Sequence, residues 1–128
     1  MHFCQYINFV FVNFLLLGNN NRELLLELFL FEKRNINLAS KHFEKAISIK
    51  ENAEPLLGLA SCLRIKDIKL AIQLAKKALA KDPNYVNYDY RKEQLWGEKL
   101  QRSTKILLQN KQLKEDVILA KSKINTSS

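Results

Sequence analysis

The chain of 128 residues contains little glycine, proline or cysteine. Three glycines and two prolines are too few for the many tight turns of an all-β fold. The two cysteines, Cys4 and Cys62, lack the paired spacing of a zinc site or a disulfide framework, which favours reduced thiols. The two histidines, His2 and His42, have no second ligand at helical spacing. These shortages favour a helical protein without a structural metal.

The sequence also lacks the residue patterns of an enzyme. Ser61 and Cys62 have no nearby histidine that would activate a nucleophile. Glu115 and Asp116 are adjacent, so they point apart on a helix and are expected to be solvated. A glycine-rich phosphate loop is absent from the sequence. We therefore expect no catalysis, no cofactor and no small-molecule substrate.

Positive charge and helix-forming residues are abundant. Twenty-one lysines and arginines against 13 acidic residues give a formal net charge of +8. Such a charge suits an acidic protein, a nucleic acid or an anionic membrane face. The basic residues are spread along the chain rather than gathered with aromatic residues on one face, so nucleic-acid binding is not expected.

Residues 1–18 form an apolar N-terminal segment. From Phe3 to Leu17 the sequence reads FCQYINFVFVNFLLL, in which three amide side chains are the only polar ones. As a helix this stretch would extend about 23 Å, against about 30 Å for the hydrocarbon core of a bilayer. Two interpretations remain open: a short membrane anchor, or a helix packed on the domain. An anchor would place the basic remainder on the cytoplasmic or stromal side.

Residues 19–84 contain one helical pattern that occurs twice. The stretch ASKHFEKAISIKEN, from Ala39, aligns with AIQLAKKALAKDPN, from Ala71, at an offset of 32 residues. Apolar and small residues recur on one face of each stretch, as in an amphipathic helix. The spacing predicts four helices, Arg22–Lys33, Leu38–Lys50, Ala53–Ile65 and Ile68–Lys81.

Small residues are expected where the helices of each pair approach closely. A larger side chain at these positions would push the paired helices apart. The inward faces are expected to include Phe43 and Ile47 in the first copy, and Leu74 and Ala75 in the second. The small residues at the close approach are Ala39, Ala46, Gly58, Ala71 and Ala78.

This double helix pair resembles the tetratricopeptide repeat, whose period is about 34 residues. Leu57 and Gly58 match its first-helix pattern, Ala39 and Phe43 match its A-x3-F pattern, and Pro83 follows the second pair. Glu54 stands where the repeat has its tryptophan. The resemblance implies an all-α fold of tetratricopeptide-like antiparallel helix pairs, a right-handed α-solenoid.

Residues 85–128 are predicted to form capping helices or a degenerate third repeat. Apolar residues from Trp96 to Leu107 recur at helical spacing, which predicts one long helix with a weak point at Gly97. Trp96 is expected to anchor the core because of the area that it buries. The pair Arg91–Lys92 is expected on a solvated face. A final helix is predicted from Leu113, Val117, Ala120 and Ile124.

Two segments resemble one branch of the repeat superfamily. EPLLGLASCL, from Glu54, and EQLWGEKL, from Glu93, are similar to the plastid and cyanobacterial family called hypothetical chloroplast reading frame thirty-seven. That family pairs an apolar N-terminal segment with a small repeat domain. The resemblance implies a role in the assembly or accumulation of photosystem I, in the plastid, on the stromal side of the thylakoid membrane.

The expected function is a non-catalytic protein-interaction scaffold. In the repeat family, the first helix of each pair lines a concave groove that holds a partner. The partners expected here are photosystem I subunits or assembly intermediates. The alternative is a chaperone adaptor that binds the peptide tail of another protein. The predicted groove residues are Asn21, Leu24, Leu28, Phe31, Leu59 and Leu63.

Overall fold

The structure is a computed structural model, and it describes residues 36–126. Every regular element in this part of the chain is helical, which confirms the all-α prediction. The apolar segment 1–18 and the predicted helix Arg22–Lys33 lie outside the described residues. The α-helices are α1 Ile36–Ile49, α2 Ala53–Leu63, α3 Ile68–Lys81, α4 Tyr88–Glu93, α5 Glu98–Leu108 and α6 Lys114–Thr126. Two 3₁₀ turns, Pro83–Val86 and Lys111–Leu113, precede α4 and α6.

The bounds of the first three helices follow local sequence signals. The helix α3 has the predicted bounds, because Asp67 accepts a hydrogen bond from the Leu70 amide (3.2 Å) at its start and Pro83 follows its end. Pro55 lies in the first turn of α2, where its missing amide hydrogen has no helical partner to lose. The helix α1 begins at Ile36, inside the stretch that was predicted to be a turn.

The helices α1 and α2 cross at Gly58. The Phe43 side chain is fully buried there, and a β-carbon added to Gly58 would overlap the Phe43 ring. Since no side chain fits between this ring and the α2 backbone, glycine permits the close approach. Gly58 marks a close helix approach, but to α1 rather than to α3, its predicted pair partner.

Alanines fill most of the contact between α2 and α3. Ala71, Ala75 and Ala78 are all fully buried. Ala46, at the corresponding place in α1, is only partly buried. The helix Arg22–Lys33, predicted to pair with α1, lies outside the described residues, so the close approach at Ala46 stays a prediction.

The helix predicted from Trp96 to Leu107 is confirmed as α5 except at its start, which lies after Trp96 and Gly97. Before it the chain forms α4 and breaks at residues 94–97. Leu95 adopts a φ of 72°, in the left-handed region, and the Trp96 amide donates to the Arg91 carbonyl at 3.1 Å. A left-handed residue after the last turn ends a helix in this way. Trp96 is buried after the break, as expected of a core anchor.

The core is centred on α2, which packs against α1, α3 and α5. This explains why nearly all of α2 is apolar and buried. The last helix α6 closes the domain on the other side, where Ala120 packs with Leu79 and Val86. The predicted final helix is thus confirmed. Among residues 36–126, no helix combines the length and apolar character needed to cross a membrane.

Candidate functional site

The predicted groove falls largely outside the residues that the structure describes. Asn21, Leu24, Leu28 and Phe31 all precede residue 36. Leu59 is 6% exposed and belongs to the core cluster. Leu63 is half-buried at the end of α2, where it packs on the same cluster. Of the two predicted groove residues that are described, Leu63 is the one with substantial exposed surface.

A polar cavity of about 600 Å³ lies on a different part of the surface. It opens where the turn between α1 and α2 meets the C-terminal end of α3, and the 3₁₀ turn after α3 forms one wall. Its size falls within the range of roughly 300–1,000 Å³ that is usual for ligand sites. The residues that line it are Lys50, Glu51, Asn52, Ala53, Glu54, Lys81, Asp82 and Tyr85.

Glu54 is the distinctive residue of this cavity. It is partly buried in the first turn of α2, and its carboxylate accepts a hydrogen bond from the Trp96 indole nitrogen at 3.0 Å. The Tyr85 hydroxyl also donates to it. Burial raises the pKa of Glu54 to about 7, although these two hydrogen bonds favour its ionised form and oppose the shift. The carboxyl therefore gains and loses its proton close to neutral pH.

Aromatic rings support Tyr85 behind the cavity wall. Tyr85 meets Tyr90 edge to face, with 5.0 Å between ring centroids, and lies 6.1 Å from the Trp96 ring. The Tyr90 hydroxyl donates to Asp82 at 3.4 Å, while Asp82 also accepts from the Asn84 amide at 3.0 Å. Burial, and then the nearby Glu54 charge, raise the pKa of Tyr85, so its hydroxyl stays protonated as a donor.

Arg91 was expected on a solvated face, and this expectation is wrong. Its side chain is 3% exposed, and its Nε donates to Gln101 Oε1 while Nη1 donates to the Tyr85 carbonyl, both at 2.7 Å. Gln101 in turn donates to the Tyr88 carbonyl at 3.0 Å. Burial lowers the pKa of Arg91 to about 10, so it remains charged at neutral pH. The arginine is buried because it joins the 3₁₀ turn, α4 and α5.

Hydroxyl groups hold α5 against α2 elsewhere in the core. Ser61 and Thr104 are hydrogen bonded at 2.7 Å, and both are buried. Ser103 donates to the Ser61 carbonyl at 2.9 Å, and Arg64 donates to Ser103 at 3.3 Å. Because each hydroxyl has a partner, these polar groups can be buried without a large desolvation cost. The contacts orient the helix that follows Trp96, and so help to place Trp96 against Glu54.

The lining of the cavity combines charged and hydrogen-bonding groups. Its titratable groups include a carboxyl that is half-protonated near neutral pH, and no serine, threonine or cysteine lines it. The part of the chain described, residues 36–126, contains no cluster of histidine, cysteine and carboxylate side chains that could hold a metal ion. Glu54, Asp82 and Tyr85 can bind a ligand by ion pairing and hydrogen bonding.

One signal in the sequence could have identified Glu54. It is the single charged residue of the otherwise apolar α2, whose sequence is AEPLLGLASCL. A lone carboxylate on a core helix needs donors when it is buried. Its partners, Trp96 and Tyr85, are more than 30 positions away, so periodicity could not identify them. Arg91 gave no comparable signal, because it lies among charged and polar residues.

Comparisons of the chain with protein-family models, curated proteins and solved structures give no match.

Proposed function

We propose that this chain is a non-catalytic protein-interaction scaffold of the tetratricopeptide type. The observation that carries the proposal is the way in which the C-terminal helices meet the helix pair α2–α3. The helix α5 packs on α2, and α6 packs on α3, so both C-terminal helices lie against that pair. Repeat proteins build their binding surfaces by stacking of neighbouring units. The C-terminal helices then cover the end of the stack.

The second part of the proposal is that this scaffold assists the assembly or accumulation of photosystem I, on the stromal side of the plastid thylakoid membrane. Its support is the resemblance of the segments that begin at Glu54 and Glu93. These two segments contact each other in the structure, where the Trp96 indole donates to Glu54.

Partner binding is proposed at an apolar face formed by the first helix of each pair. Leu63 is the described member of this face that is only partly buried. Leu24 and Leu28 extend the proposed face in the sequence. Newly made membrane subunits expose apolar helices, which need a transient partner before assembly, and an apolar groove would shelter them. The apolar segment 1–18 would keep the scaffold near the membrane.

The experiment compares Leu63→Glu with Ile65→Glu in the organism that carries the gene. Ile65 is 83% exposed just beyond α2, so its substitution adds the same charge without touching the proposed face. We expect Leu63→Glu to reduce co-purification with photosystem I subunits and to lower photosystem I content, and Ile65→Glu to change neither. Circular dichroism of both purified variants checks that the fold is retained.

Two results would overturn parts of the proposal separately. Normal photosystem I content after disruption of the gene would exclude the photosystem role. Undiminished co-purification by a folded Leu63→Glu variant would exclude the proposed face, while the role itself could stand.

A further inference from the structure

The charged group of Glu54 is not needed to pack α1, α2 and α3. These helices pack through Gly58 and buried apolar residues, and Glu54 is not among the residues of the core cluster, although Ala53 and Tyr85 of the same cavity are. A carboxyl group at this position nevertheless carries a cost, because burial penalises its charged form. A residue that is unfavourable for folding and reaches the surface through a cavity is a candidate for binding.

The acidic residues around the cavity differ in the partners of their carboxylates. Glu51 forms ion pairs with Lys77 at 3.3 Å and Lys81 at 3.7 Å, and all three side chains are exposed. Glu54 and Asp82 receive only neutral donors: Trp96 and Tyr85 for Glu54, and Asn84 and Tyr90 for Asp82. Among the described residues, neither carboxylate has a cationic partner within ion-pair distance.

We propose that the cavity binds a lysine or arginine side chain of a partner protein, which inserts toward Glu54 and pairs with its carboxylate. This inference rests on the proposed scaffold function and names the chemistry of one contact that the partner makes. A carboxylate can accept about four hydrogen bonds, and the protein supplies two to Glu54. An ammonium or guanidinium group would supply the remaining donors and the missing positive charge.

An anionic ligand fits the same cavity less well. Lys81 is already held by Glu51, which leaves Lys50 as the lining cation without an ion pair in the described structure. An anion near Glu54 and Asp82 would be repelled by their like charge. A cation would be attracted by these two carboxylates and would meet the Tyr85 hydroxyl. When Glu54 is ionised, the three carboxylates of the lining exceed its two lysines by one charge, which favours a cation even though the whole chain carries a net charge of +8.

Binding should depend on pH through the ionisation of Glu54. Since the pKa of Glu54 is about 7, the ionised fraction falls roughly tenfold from pH 8 to pH 6, and the affinity for a cation should fall about tenfold with it. Bound cation should in turn lower the pKa of Glu54. The titratable and charged groups that face the cavity from the packed elements are Lys50 and Glu51 from the α1–α2 turn, Lys81 and Asp82 from the end of α3, Tyr85 from the 3₁₀ turn, and Tyr90 from α4.

The test uses Trp96, the single tryptophan of the chain, as a reporter. Its indole N–H donates to Glu54, so its one indole signal in a ¹⁵N–¹H NMR spectrum senses any change at that carboxylate. Full-length protein is titrated at pH 8 with Nα-acetyl-lysine N-methylamide and with the arginine analogue. We expect a saturable shift with each, and about tenfold weaker binding at pH 6. The Nε-acetylated lysine probe, which has no charge, should cause no saturable shift.

Matched variants test the role of the carboxylate. Glu54→Gln keeps the shape and removes the charge, and it should abolish saturable binding. Glu115→Gln removes the same charge from the exposed surface of α6, and its titration should equal that of the parent. The inference is overturned if the parent shows no saturable shift, if Glu54→Gln binds as well as the parent, or if an acetylated glutamate probe binds more tightly than the lysine probe.

This titration is independent of any photosystem partner. A failed titration removes the cationic contact but leaves the scaffold proposal to the co-purification experiment. A failed co-purification experiment leaves the measured affinity of the cavity for the probes unchanged.

Discussion

The helices α1–α3 and the polar junction between α3 and α5 are held together by different kinds of contact. In the first region, small residues let the helices approach, and apolar side chains such as Phe43 fill the space between them. In the second, Arg91, Gln101 and Trp96 satisfy buried polar groups through hydrogen bonds. The comparison shows that a regular apolar pattern suffices to stack a helix pair. An irregular connection needs specific donors and acceptors to be buried.

The largest expected effect tests the polar junction. Arg91→Ala removes the donors to Gln101 and to the Tyr85 carbonyl, and both acceptors remain buried. Hydrogen bonds to charged groups contribute about 1.5–3 kcal/mol each, so we expect the free energy of unfolding to fall by about 3 kcal/mol or more. Urea unfolding measures the change. The adjacent Lys92→Ala, at an exposed position, is the control and should have little effect. Equal effects of both changes would show that the junction does not depend on the buried arginine.

The next effect is the pH dependence caused by Glu54. Its pKa is about 7 in the folded protein, against 4.5 ordinarily, so the folded state binds the proton more tightly than the unfolded state does. Stability is therefore lost as pH rises from about 4.5 to about 7, and Glu54→Gln should remove this loss. A pKa shift contributes about 1.4 kcal/mol of stability per unit, and the partial exposure of Glu54 reduces this contribution. At pH 8 we therefore expect the variant to be more stable than the parent by on the order of 2 kcal/mol.

Unfolding curves at pH 5 and pH 8 measure the difference for parent and variant. The advantage of Glu54→Gln should be present at pH 8 and shrink toward pH 5, where Glu54 is mostly protonated when folded. An advantage of equal size at both values would mean that burial does not shift this carboxyl.

The smallest effect tests the helix crossing. In Gly58→Ala, the new methyl group meets the Phe43 ring, and overpacking costs about 1–3 kcal/mol. Alanine is favoured over glycine within a helix by about 1 kcal/mol, so a net loss of about 1 kcal/mol is expected. A double-mutant cycle with Phe43→Leu measures the coupling, because the smaller side chain should relieve part of the cost. Independent, additive effects of the two changes would place the close approach elsewhere.

The two regions also differ in how much of their structure could be predicted from the sequence. The helical pattern correctly indicated the helices α1–α3 and the buried Ala71 and Ala78, and it indicated a close approach at Gly58, which is made to α1 rather than to α3. The spacing from Trp96 to Leu107 indicated α5, but it gave no sign of α4 or of the break at residues 94–97. The left-handed Leu95 breaks the helix, and nothing in the side chain of leucine favours that backbone conformation.

The sequence by itself determined where most helices lie and which faces they bury. Helical spacing, an aspartate cap at Asp67 and a proline at Pro83 act within a few residues of each other, so a single segment carries the information. Only the tertiary structure decided that Arg91 is buried and that Glu54 meets Trp96, 42 positions away. The burial of a charged group depends on whether distant residues supply its hydrogen-bond partners, and those partners come together only when the chain has folded.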